Sequence, residues 1–156
     1  MISFDVPGVG VFELSHLVLD FNGTLAQDGA LLEGVAKRLF LLSEQLAIHV
    51  VTADTFGKAR LALDRLPVDL KIIAAGAERA AKSAFVDLLG PASVAAMGNG
   101  ANDSAMLAAA AISIAVIGPE GAARMALDRA LIVVRDPCEG LDLFLEPKRI
   151  VATLRR

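Results

Sequence analysis

Short aliphatic runs alternate with amphipathic segments along most of the chain. Leu17 to Asp20, Ile48 to Val51, Val68 to Ile73, Val94 to Met97, Ile112 to Ile117 and Leu131 to Val134 read as strands. Continuous aliphatic runs of this kind suit parallel strands buried on both faces. Between them, Val35, Leu39, Leu42 and Leu46 fall at the spacing of an amphipathic helix over Glu33 to Gln45. Thr55 to Arg65 reads as a helix stopped before Pro67, and Glu78 to Leu89 as one stopped by Gly90-Pro91. Asn102 to Ala110 is a further helix, and Pro119 to Ala126 opens another with its proline in the first turn. Helical turns follow Pro137 and Pro147. At the start, Ile2 to Val6 and Val9 to Leu14 flank Pro7-Gly8, which predicts a small antiparallel hairpin. The β-α alternation predicts an α/β fold: a three-layer, doubly wound, Rossmann-like parallel sheet. Residues 1–156 carry no internal repeat or linker and read as one domain.

Composition sharpens this picture in three places. With 55% apolar residues but only 4% aromatic, and neither Trp nor Tyr, the core must be built from Ala, Leu, Val and Ile. A net charge of -3 gives no basic patch of the kind nucleic acid requires, so no nucleic-acid partner is expected. The single cysteine, Cys138, excludes an intrachain disulfide framework and fits a reducing, cytoplasmic setting. The start of the chain has no basic segment followed by an apolar stretch, so no signal peptide is expected. The longest apolar stretch, Ala105 to Ile117, is broken by Ser113 and falls short of a membrane span. The apolar excess leaves room for a self-association surface, so the oligomeric state is open between monomer and homo-oligomer.

Chemistry concentrates at three strand ends: Asp20-Phe21-Asn22-Gly23-Thr24, Thr52-Ala53-Asp54, and Gly98-Asn99-Gly100-Ala101-Asn102-Asp103. In a parallel sheet these loops emerge on one edge, where open α/β folds bind ligands. Lys82 lies one helix before the third loop. Together they offer a carboxylate, a hydroxyl beside backbone N–H groups, a cation and oxygen ligands. Phosphoryl transfer needs that set, because its catalysis is mostly positioning and charge stabilisation.

These elements, in this order, resemble the haloacid dehalogenase superfamily, and within it the phosphorylation domain of P-type ATPases. Asp20 to Leu25 matches the first motif, Thr52-Ala53-Asp54 is similar to the Thr-Gly-Asp motif, and Gly98 to Asp103 resembles the Gly-Asp-Gly-x-Asn-Asp segment. The resemblance covers Leu17 to Ile117. It implies a Mg²⁺-dependent phosphohydrolase in which Asp20 is the nucleophile that forms an aspartyl-phosphate. Thr52, the N–H groups of Ala53, Phe21 and Asn22, and Lys82 would hold the phosphoryl group. Lys82 would also pair with Asp20; Lys71 and Lys58 are weaker substitutes. Asp20, the Asn22 carbonyl and Asn99 would hold magnesium, with Asp103 compensating in part for the acid that Asn99 replaces. Asp103 could instead cap the helix that follows it.

Departures from the pattern limit what carries over. P-type ATPases insert a nucleotide-binding domain between the first two motifs, whereas one predicted helix fills most of the interval Leu25 to Val51 here. Ala26 to Leu32 is too short to form a cap, so the expected form is essentially capless. A small phosphorylated substrate or a phosphoprotein would then reach an open site, or a partner chain would cover it. Asn22 stands where related phosphatases carry a second acid, and an amide neither protonates a leaving group nor activates water. General acid–base catalysis is worth about 10²–10⁴-fold, so slow turnover is expected. The alternative is a non-catalytic domain that binds phosphate or a protein. His16 and His49 have no partner at ligand spacing and read as structural, and the basic residues around Ile150, Val151 and Leu154 as a surface helix.

Overall fold

The computed structural model describes residues 1–54 and 57–156. Strands β1 (Ile2–Val6) and β2 (Gly10–Leu14) form the expected antiparallel hairpin, with Phe4 opposite Phe12 and their rings stacked at 5.5 Å. After β3 (His16–Leu19) comes a second, very short hairpin, β4 (Ala26–Gln27) and β5 (Ala30–Leu31). Its turn residues Asp28 and Gly29 both have positive φ, 52° and 85°, the combination that an Asp-Gly hairpin turn favours. The chain continues through α1 (Val35–Ser43), β6 (Ala47–Thr52), α2 (Lys58–Leu63), β7 (Asp69–Ile72) and α3 (Glu78–Leu89). It ends with β8 (Val94–Gly98), α4 (Ser104–Ala109), β9 (Ile112–Val116), α5 (Arg124–Arg129), β10 (Ile132–Val134), α6 (Pro137–Leu145) and α7 (Lys148–Leu154).

Six strands pair in the order β10-β9-β8-β3-β6-β7, every pair parallel. Connections run outward from β3 in one direction, then return to β8 and run outward in the other. The reversal therefore lies between β3 and β8, the point where doubly wound sheets open a crevice. Successive residues of a strand face opposite sides, and both sides are apolar. Leu17, Leu19, Val50 and Met97 pack with α1 and α6 residues such as Leu39, Leu42, Leu141 and Phe144. Val18, Val51, Val94 and Ala96 pack with Val86, Met106, Leu107 and Ala126 of α3, α4 and α5. That two-sided burial explains why the strands read as unbroken aliphatic runs.

Two expectations need correction. The helix expected over Pro119 to Ala126 begins only at Arg124, because Gly118 and Gly121 take positive φ (20° and 74°) and turn the chain first. Ala123 N–H then donates to the Asn99 carbonyl at 2.8 Å, which holds this loop against the end of β8. The helix expected over Thr55 to Arg65 is seen as Lys58–Leu63; its first two residues lie outside the described residues. The basic terminal segment forms α7, which buries Ile150 and packs on β1. Among the described residues no helix is long and apolar enough to cross a membrane.

Candidate active site

Asp20 follows β3 directly, Thr52 is the last residue of β6, and Asn99 follows β8 directly, so the three polar loops share the C-terminal edge of the sheet. Asp20 N–H donates to the Met97 carbonyl at 3.0 Å, which extends the β3–β8 pairing to the site itself. From α3, Lys82 reaches into this edge with only 1% of its surface exposed. A lysine buried that deeply requires compensating charge. Its Nζ donates to Asp20 Oδ1 and to Asp103 Oδ1, both at 2.6 Å.

The side chains of Thr24, Asn99, Asp103 and Thr52 around this triad are each fixed by a neighbour. Thr24 Oγ1 lies 3.0 Å from Asp20 Oδ2 and 3.1 Å from Asn99 Oδ1. The Asn99 amide nitrogen donates to the Gly121 carbonyl at 3.1 Å, which turns its oxygen toward Thr24 and Asp20. Asp103 Oδ2 accepts from the N–H groups of Asn99 and Gly100, at 3.0 and 2.9 Å. Gly98 makes this possible: a Cβ there would stand 2.5 Å from Asp103 Cγ. Thr52 Oγ1 accepts from Asp54 N–H at 3.3 Å, and Asp54 in turn accepts from Ala59 N–H at 2.8 Å at the start of α2.

Two carboxylates sharing one ammonium leave a buried negative charge. Burial, then the Asp103 charge, push the Asp20 carboxyl up to about 6, with Lys82 and Thr24 opposing only in part. Burial pulls Lys82 down, but the two carboxylates outweigh it and hold the ammonium above its ordinary value. Beside the triad is an open polar cavity of about 370 Å³, lined by Asp20, Asn22, Thr52, Ala53, Lys82 and Asn99 together with Glu78, Asn102 and Glu120. Among the described residues, the N–H groups of Phe21, Asn22 and Ala53 donate to no protein acceptor. The site therefore combines a carboxylate, a paired ammonium, a hydroxyl and uncommitted N–H groups around one cavity, a set suited to a tetrahedral oxyanion.

No protein-family model matches the chain. Two uncharacterized proteins of Methanocaldococcus jannaschii do, one at 49% identity over 39 residues (25% of this chain, 89% of the relative). The other is 44% identical over 62 residues, covering 40% of this chain and 67% of the relative. The chain belongs to one family with them. Among solved structures, the cobalt-bound deoxy-D-mannose-octulosonate 8-phosphate phosphatase of Haemophilus influenzae superposes with a TM-score of 0.72 at 14% identity, over 92% of this chain and 94% of that one. The 3-deoxy-D-manno-octulosonate 8-phosphate phosphatase of Moraxella catarrhalis, in complex with magnesium, phosphate and the sugar acid, gives 0.68 at 15% identity over 91% and 94%. The Yersinia pestis phosphatase of the same name gives 0.68 at 18% over 89% and 84%. This is the haloacid dehalogenase fold.

Within that fold, the positions singled out in the sequence converge, with one qualification. Asp103 is fully buried, lies outside the cavity lining and gives its oxygens to Lys82 and two backbone N–H groups. The helix-cap alternative is also not what it does, since those N–H groups precede it. The magnesium ion implied by the resemblance would meet hard oxygen donors in the Asp20 carboxylate, Asn99 Oδ1 and the Asn22 carbonyl, a chemistry that fits it. Among the described residues no three His, Cys, Asp or Glu side chains converge as a metal cluster, so such a site draws on amide and backbone oxygens.

Several residues around the cavity were not legible as site residues. Thr24 lies inside the first motif with no role assigned from the sequence, and its bridge between Asp20 and Asn99 exists only in three dimensions. Lys58, named only as a weaker substitute for Lys82, lines the cavity although its Nζ donates to the Asp28 carbonyl at 3.1 Å. Glu120 was assigned to a helix and stands instead on the loop beside Asn99. His16 and His49, expected to be structural, meet across β3 and β6 at 3.2 Å, and His49 also approaches Asp69 at 3.4 Å.

Proposed function

We propose that the chain is a Mg²⁺-dependent phosphohydrolase working through an aspartyl-phosphate on Asp20. The observation that carries this reading is the buried Asp20–Lys82–Asp103 triad at the reversal point of the sheet, opening on a cavity lined by Thr52 and uncommitted N–H groups. It is supported by the fold shared with phosphatases, one of them bound to magnesium and phosphate and another to cobalt.

In this mechanism an Asp20 oxygen attacks phosphorus and the ester P–O bond breaks. The leaving alkoxide takes its proton from water, because the Asn22 amide has none to give. Water then attacks the phosphoryl group, the P–O bond to Asp20 breaks, and inorganic phosphate leaves with the carboxylate restored. Lys82 and the N–H groups of Phe21, Asn22 and Ala53 stabilise the equatorial oxygens, with the Thr52 hydroxyl. Asp103 is a positioning residue, holding Lys82 against Asp20. A cation held by Asp20, Asn99 and the Asn22 carbonyl would neutralise phosphoryl charge. The short β4–β5 hairpin leaves the cavity open, consistent with a small phosphorylated molecule or a phosphoprotein as substrate. Like P-type ATPases, the chain would keep its phospho-enzyme long, since no acid–base residue stands at position 22.

The amides at 22 and 99 favour one second reading, a phosphate-binding domain without turnover. Acetyl phosphate with Mg²⁺, followed by intact-protein mass spectrometry, separates the two. A phosphoryl adduct on the wild type and none on Asp20→Asn is the expected result. A folded wild type with no adduct at any Mg²⁺ concentration would leave the binding domain.

A further inference from the structure

The loop between β9 and α5 places a carboxylate where the first and third motifs lack one. A Cβ built on Gly23 would stand 2.5 Å from Glu120 Oε2 and 2.5 Å from Asn99 Nδ2, so both side chains converge over the same backbone point. The loop is tied to the site from both sides. Gly121 accepts from the Asn99 amide at 3.1 Å, and Ala123 donates to the Asn99 carbonyl at 2.8 Å. Gly121 N–H also closes back on the Gly118 carbonyl at 3.1 Å, which sets Glu120 at the crest of a tight turn.

Glu120 faces the wrong sign of charge. The cavity beside it already carries an excess carboxylate, because Asp20 and Asp103 share the single ammonium of Lys82. Among the described residues Glu120 pairs with no basic side chain. Water screens the exposed Glu120 carboxylate from Asp20 while the cavity is empty, and a cation entering the cavity would meet it as a charged oxygen donor. The neighbours of Glu120 there are the Asn99 amide nitrogen, a neutral donor, and the Gly23 turn that follows Asn22.

We infer that Glu120 belongs to the shell of the divalent-cation site, directly or through a bound water, and supplies the charge that the amide at position 99 leaves out. This rests on the phosphohydrolase reading of the same site. It goes beyond that reading by assigning the charge to a residue outside all the motifs. Charge count is a main determinant of how tightly an oxygen site holds a divalent ion.

The test is titration of the full chain with Mn²⁺ alone, followed by electron paramagnetic resonance and calorimetry, with no substrate present. Glu120→Gln should weaken Mn²⁺ binding by about tenfold or more. Its urea midpoint in EDTA should match the wild type, because Glu120 is exposed on a loop. Glu78→Gln, which removes another carboxylate lining the cavity, should leave the affinity unchanged. Wild-type affinity in Glu120→Gln, with affinity lost in Asp20→Asn, overturns the role of Glu120 and keeps the metal site. Equal weakening by Glu78→Gln also overturns it, since a diffuse field would then explain the effect. Absence of Mn²⁺ binding in the wild type overturns both this inference and the Mg²⁺-dependent reading beneath it.

Discussion

Replacing the Asp20 carboxylate by an amide, Asp20→Asn, should make the metal-free protein more stable at neutral pH. Asp20 and Asp103 each lie 2.6 Å from Lys82, so the fully ionised cluster holds one negative charge too many in a buried place. Burial and the Asp103 charge lift the Asp20 carboxyl from 3.8 to about 6. Because the folded value lies above the unfolded one, the folded protein binds this proton more tightly. The stability it confers is complete below about pH 4 and is lost as pH rises through about 6. A change of that size corresponds to about 3 kcal/mol. Asparagine keeps an oxygen for Lys82 but carries no charge, and a neutral acceptor binds an ammonium less well than a carboxylate does. The net gain above pH 7 should therefore be about 1–3 kcal/mol, against a total stability of about 5–15 kcal/mol. Urea unfolding of both proteins in EDTA from pH 5 to pH 8 measures it. The wild-type midpoint should fall relative to Asp20→Asn as pH rises, and Mg²⁺ should close the gap by binding the wild type preferentially. An Asp20→Asn protein less stable than the wild type at pH 8 in EDTA would refute the reasoning, because the attraction to Lys82 would then exceed the burial cost.

Two further outcomes follow from the same geometry. Asn22→Asp restores an acid beside the cavity and should raise steady-state hydrolysis of a phosphate ester by about 10²–10⁴-fold, read as phosphate release per enzyme; an unchanged rate would mean that position 22 does not limit turnover. Gly98→Ala drives a methyl into Asp103, 2.5 Å from its Cγ. It should cost about 1–3 kcal/mol in urea unfolding and abolish labelling of Asp20 by acetyl phosphate, since Lys82 loses the carboxylate that holds it in place.

What was legible in the chain follows from where the information is stored. The strand tips were legible because continuous aliphatic runs give way to clusters of polar and glycine residues at Asp20, Thr52 and Asn99. Lys82 could be singled out only through the order of the motifs, since one lysine on an amphipathic helix looks like any other. Its burial depends on Asp20 and Asp103, which are 62 and 21 positions away. The loop after β9 was misread for a local reason. Pro119 is a good first residue for a helix, and the alanines after it favour one. The competing signal was the pair Gly118 and Gly121, whose positive φ turns the backbone before the helix can start. With the helix starting at Arg124, Glu120 stands on the loop that lines the cavity.

That placement of Glu120 bears on how this site handles charge. An acid at position 99 would sit at the end of β8, beside Asp20 and next to the backbone that Asp103 grips. The triad, already one negative charge in excess, would then have to bury a third carboxylate when no cation is bound. A glutamate on the neighbouring loop reaches the same side of the cavity from an exposed position, where its charge remains solvated until an ion arrives. The cost of an empty site is thereby lowered while charge for the ion remains within reach. The same logic predicts a trade: Asn99→Asp should strengthen Mn²⁺ binding and weaken the fold in EDTA, and a variant that gained affinity with no loss of stability would show that burial at position 99 is not what keeps an amide there.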